Sequence, residues 1–175
     1  LPPTGNALPA EWASALDHLS WLHASPTNAL LTVAAATPVQ VWYGGRMLGS
    51  AGPTVGVFRV SAPVRDEVLA AVASRNSTPD YLHLRLEAAG RVWMSGDHWR
   101  YSASPGAGWE TTGYDDRSWA KHADNWLSLA TPPATPTPWI DLYSNAGNIV
   151  RPLPAGASSM VHRCVLRPGD GRPLR

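Results

Sequence analysis

The chain has 175 residues, a formal net charge of +1, 15% charged residues, nine Trp and one Cys. One domain of this length buries about 70% of its unfolded surface, so a core forms without a disulfide framework. A near-neutral charge with no Lys/Arg run excludes a nucleic-acid groove or an anionic membrane surface as partner, no apolar run is long enough to span a bilayer, and the opening residues lack the basic and apolar segments of a signal peptide.

Residues 1–9 are Pro-rich and expected to be extended. The spacing of Trp12, Leu16, Leu19 and Leu22 predicts one helix over residues 10–22, with Pro9 near its first turn and Ser25-Pro26 beyond its end. Strand and turn signals follow. Leu30–Val33 precedes Thr37-Pro38, and Val39–Tyr43 is β-branched and aromatic before Gly44-Gly45. Val55–Val60 is a further strand candidate, whereas residues 64–73 fit helix or strand. In residues 81–87, Leu82, Leu84 and Leu86 alternate with His83, Arg85 and Glu87, which predicts a strand with one buried and one solvated face. Gly90 turns into Arg91–Met94, and Trp99 and Tyr101 alternate with polar neighbours. Residues 130–138 are a Pro/Thr tract that no strand ladder can cross, so it is expected on the surface. Met160–Leu166 is a last strand, and residues 168–175 are a polar tail. Short strands punctuated by Gly and Pro predict an all-β sandwich over residues 10–167, with one short N-terminal helix.

Several stretches resemble one family. Val41–Gly49, containing Gly44-Gly45, resembles the hairpin of galactose-binding-domain-like β-sandwiches, the jelly-roll modules attached to bacterial rhamnosidases and β-galactosidases. Residues 68–76 and 81–86 resemble a strand pair of these modules. Trp99-Arg100, Gly108-Trp109 and Tyr114-Asp115-Asp116-Arg117-Ser118-Trp119 resemble their Trp-rich stretch ending in an Asp-Asp-x-x-Trp turn. Trp139-Ile140 and His162-Arg163-Cys164 are similar to two further elements, although here they follow the Asp-Asp turn, which leaves the strand order open. The resemblance implies a jelly-roll fold and a role in glycan contact without catalysis.

The residues themselves support several readings. Asp115 can accept a hydrogen bond from the backbone two residues on, with Trp119 folded beneath the turn; alternatively Asp115 and Asp116 start a calcium site, which needs more oxygen ligands than the loop offers. Aromatic rings stack on sugar faces, which makes Trp93, Trp99, Tyr101, Trp109 and Trp126 glycan-binding candidates, with burial in the core as the alternative. Asn76-Ser77-Thr78 is a glycosylation sequon, and Thr131, Thr135 and Thr137 are candidates for O-linked sugar. Cys164 is expected to be an inert thiol or half of an intermolecular bridge.

Asp97-His98 is the nearest approach to an acid–base pair, but strand neighbours point to opposite faces. A Gly-x-Ser-x-Gly elbow, a phosphate-binding glycine loop and a His-x-x-x-His pattern are missing from the sequence, so no cofactor or metal is expected. The sequence therefore predicts a non-catalytic extracellular or cell-surface module. Its expected partners are glycans, neighbouring extracellular proteins or copies of itself, as a structural subunit of a glycoprotein assembly or fibre. The alternative is a carbohydrate-binding accessory domain of a larger glycosidase.

Overall fold

The structure is a computed structural model that describes residues 8–74, 81–96, 98–121, 137–139, 141–142 and 157–174. One helix, α1 (Ala10–Ala24), precedes the strands β1 (Asn28–Ala35), β2 (Val39–Tyr43), β3 (Arg46–Ala51), β4 (Gly56–Ser61), β5 (Glu67–Ser74), β6 (Leu82–Ala88), β7 (Arg91–Met94), β8 (Arg100–Ser102), β9 (Ala120–Lys121), β10 (Ser159–Leu166) and β11 (Arg172–Pro173). They form two antiparallel sheets, ordered β11-β7-β6-β1-β4 and β3-β2-β5-β10-β8-β9. This is an all-β sandwich, compatible with a jelly roll.

The period of two puts one row of each strand between the sheets. Ala29, Leu31 and Val33 of β1 and Leu82, Leu84 and Leu86 of β6 face Val39 and Val41 of β2, Leu69 and Ala71 of β5, and Cys164 and Leu166 of β10. Gly44 and Gly45 both have positive φ, 63° and 80°, which the tight β2–β3 hairpin requires. Of residues 64–73, those from Glu67 on form strand: Val68, Leu69, Ala70 and Ala71 are all buried, so β5 is covered on both faces.

Two expectations are corrected. The strands described within the stretches at 68–76 and 81–86 do not pair with each other: β5 lies between β2 and β10, whereas β6 lies between β1 and β7 in the other sheet. The polar row of β6 is also not a solvated face. His83 and Glu87 are buried, and Arg85 forms a 3.0 Å ion pair with Glu87. The reason is a third layer on that sheet. α1 lies over β1, packing Ala15 and Leu22 against Leu30, with Trp139 in the same cluster.

The helix contacts the sheet through Ala15 rather than Leu16, which is 51% exposed. A methyl side chain lets the helix axis approach the strand, while Leu16 falls to the flank. Arg59 of β4 fastens the helix from the side through a 2.8 Å bond to Asp17 and a 3.2 Å bond to His18, with its guanidinium over the Trp21 ring. Burial and the nearby Arg59 cation lower the His18 pKa, Asp17 acting weakly the other way.

Candidate functional site: an aromatic cleft at the edge of the second sheet

The outer face of the second sheet is covered by the loop from residue 103 to 119, and one cross-strand row holds it. Trp42, Ala70, Arg163 and Arg100 are register partners across β2, β5, β10 and β8. At one end of the row Trp42 meets Trp109 edge-on at 5.1 Å. The small Ala70 leaves room for the long side chain beside it. Arg163 is fully buried and donates to the Trp109 carbonyl at 2.7 Å, to the Thr111 carbonyl at 2.6 Å and to the Asp116 carboxylate. Its guanidinium also lies 5.6 Å from the Tyr114 ring centroid. Arg100 donates to the carbonyls of Arg117 and Trp119 at 3.2 and 3.3 Å. A buried guanidinium stays charged, so it needs this ring of acceptors.

Within the loop, the Arg117 backbone N–H donates to Asp115 Oδ1 at 3.1 Å, and the Arg117 side chain forms a 2.8 Å ion pair with the same carboxylate. The Arg117 hydrogen bonds hold the Asp115 carboxyl at about 2, well below its usual value. The Trp119 N–H donates to the Asp116 carbonyl at 2.9 Å, and the Trp119 ring is buried edge-on against Tyr114 at 5.6 Å. Both carboxylates of the Asp pair are thus engaged by guanidinium groups. Among the described residues, no group of three or more His, Cys, Asp or Glu is placed to hold a metal ion.

The loop and the β8–β9 edge enclose an open cleft of 500 Å³. Its aromatic surface comes from Tyr101, Tyr114 and Trp119, its hydroxyls from Ser102, Ser104 and Ser118, and among the described residues no charged side chain lines it. Tyr114 is fixed on two sides, by Arg163 and by its hydroxyl, which accepts the Gly106 N–H at 3.0 Å. A Cβ on Gly106 would stand 2.9 Å from that hydroxyl, so the close approach requires glycine. Tyr101 lies opposite Ala120 in β9 and 6.2 Å from the His162 ring.

The five aromatic candidates separate. Tyr101 lines the cleft. Trp109 is half-buried against Trp42 and serves as the loop's hydrophobic anchor. Trp99 is corrected: it is 0% exposed in the central core and offers no ring face to a sugar. Trp93 is also buried, and its indole N–H donates to the Arg167 carbonyl at 3.0 Å. Both Trp93 and Trp99 join the cluster between the sheets. Trp126, Asn76, Thr131, Thr135 and Asp97 lie outside the described residues. Thr137 is buried and its hydroxyl donates to Glu11 at 3.1 Å. His98 sits in a turn, so the strand-alternation argument used for Asp97-His98 does not apply to it. Cys164 is a buried free thiol, with burial pushing its pKa up to about 12.

Sequence reasoning missed Tyr114 as a cleft residue and Arg163 as the holder of the loop. The signal for Arg163 was present: an arginine inside Met160–Leu166, with Val161 and Val165 two positions away on either side, must find buried acceptors. No family model matches the chain, and no significant match is found to a curated protein or to a solved structure.

Among the described residues, no helix is long and apolar enough to cross a membrane.

Proposed function

We propose that the chain is a non-catalytic extracellular interaction module of the galactose-binding-like kind, and that it contacts a neutral glycan through the Tyr101–Tyr114–Trp119 cleft. The observation that carries this reading is the lining itself: aromatic rings and serine hydroxyls, with no charged side chain among the described residues. Rings cover the apolar face of a pyranose while hydroxyls meet its hydroxyls, and a site without cations has nothing to favour acidic sugars. The nearby acids support a non-catalytic role. Glycoside hydrolysis needs two carboxyl groups facing across a substrate. Asp115 and Asp116 face guanidinium groups instead.

The test is a tryptophan-fluorescence titration with galactose and with rhamnose, alongside galacturonate. A saturable shift with a neutral sugar is expected, absent for galacturonate. Tyr101→Ala weakens it about 3- to 10-fold, the worth of one aromatic contact, and Ser118→Arg abolishes it by filling the cleft mouth. A response unchanged in both variants overturns the assignment. Concentration-dependent assembly without any sugar response supports the filament-subunit role in its place.

A further inference from the structure

Both sheets stop short at one corner of the sandwich. β8 pairs with β10 only over Val161–Arg163, although β10 continues to Leu166. β11 pairs only with Arg91 and Val92 of β7, leaving Trp93 and Met94 beyond it. The space between is a cavity of 300 Å³, walled by Trp93 and Met94 on one side and by Cys164 and Leu166 on the other. It lies at the opposite end of β10 from the cleft, since Met160 lines the cleft and Leu166 the cavity. Along β10 the nearest cavity-lining residue, Cys164, is four positions from Met160, about 13 Å away.

The walls are rigid and the mouth is charged. The Trp93 ring is held by its bond to the Arg167 carbonyl, and Gly171 packs so closely that a Cβ there would stand 2.5 Å from the ring. Arg91 donates to the Gly171 carbonyl at 2.9 Å, which fixes the segment carrying Arg172. At the mouth, among the described residues, Arg167 and Arg172 are exposed, with one acid, Asp170, and His98 beside them. We propose that this cavity is a second ligand site, which takes a small carboxylate with a flat apolar body. The body lies against Trp93 and the carboxylate meets the arginines. A volume at the bottom of the usual range for ligand pockets limits the guest to the size of one ring with one short substituent. The guanidinium fork matches a carboxylate in shape as well as in charge. This site does not depend on the glycan reading of the cleft.

The experiment uses the full chain with nitrogen-15-labelled tryptophan, Trp93→Phe identifying the Trp93 indole signal, and benzoate as the probe. Benzoate moves that signal saturably. Arg172→Gln weakens binding at least 5-fold, and the double change with Arg167→Gln weakens it further. Benzamide and benzylammonium, which keep the ring without the anion, bind more weakly than benzoate. The proposal is overturned if benzoate leaves the Trp93 signal unmoved, if the double variant binds as the parent does, or if benzylammonium binds equally well.

Discussion

Asp116, in the loop, and Arg163, in the middle of β10, form an ion pair in which the arginine is fully enclosed and the acid is one-fifth exposed. The pair joins segments 47 residues apart in sequence. It does so beside two carbonyls that accept two more of the five guanidinium hydrogens. Removing the acid leaves a buried cation with two neutral acceptors. Such losses cost roughly 3–5 kcal/mol when both partners are enclosed. The partial exposure of Asp116 lowers the expectation for Asp116→Asn to about 2–3 kcal/mol. Thermal unfolding should show it as a midpoint lower by about 5–10 °C. The Tyr101–Tyr114 cleft should loosen with it, because the same arginine holds Tyr114.

Asp115 carries a pH prediction of definite sign. Its folded-state pKa of about 2 lies below the unfolded value of about 3.9. A depressed carboxylate stabilises the fold above the unfolded value and loses that contribution as pH falls through the folded one. The turn should therefore persist at pH 3 and open near pH 2. The amide resonance of Arg117, which donates to this carboxylate, should titrate near 2. Arg117→Ala should move that titration up toward the ordinary value, and added salt should do so in part, because the pair is solvent-exposed.

Much of the sandwich is legible in the sequence because its inner rows obey period two. Leu82, Leu84 and Leu86 announce β6, and Gly44-Gly45 announces its hairpin without any tertiary information. Ala10–Ala24 is legible too, but not the face that docks, because Ala15 adds little to an apolar pattern while deciding how closely helix and sheet approach. The outer faces were misread for one reason. His83, Arg85 and Glu87 look like a solvated row, and only the third layer on the first sheet buries two of them. The cleft depends on Arg163, Arg100 and Trp42 sharing a row across four strands. Such a row follows from strand order and register, which local pattern does not specify.

Cys164 should be unreactive in the folded chain. Its thiol titrates at about 12 because burial disfavours the thiolate, with Arg163 opposing weakly. The thiolate is the nucleophile. Iodoacetamide at pH 8 should therefore label native protein on the order of 100-fold more slowly than denatured protein. A raised pKa also means stability that is complete below the unfolded value of about 8.5 and lost as pH climbs toward 12. Mass spectrometry after timed alkylation checks the first expectation, and denaturant midpoints between pH 8 and 11 check the second.

Gly171 and Gly169 make a matched pair for the corner where β11 meets β7. A Cβ on Gly171 would lie 2.5 Å from Cζ2 and 2.7 Å from Cε2 of Trp93. That ring belongs to the central core and cannot slide without breaking its bond to the Arg167 carbonyl. Overpacking of this kind costs about 1–3 kcal/mol, so Gly171→Ala should lower the urea midpoint accordingly and shift Trp93 emission. Nothing lies within 4 Å of a Cβ on Gly169, and its φ is not in the left-handed region. Gly169→Ala should therefore be neutral or stabilising by up to about 1 kcal/mol, through the unfolded chain alone. Equal midpoints for the two variants would show that Trp93 is not a rigid wall.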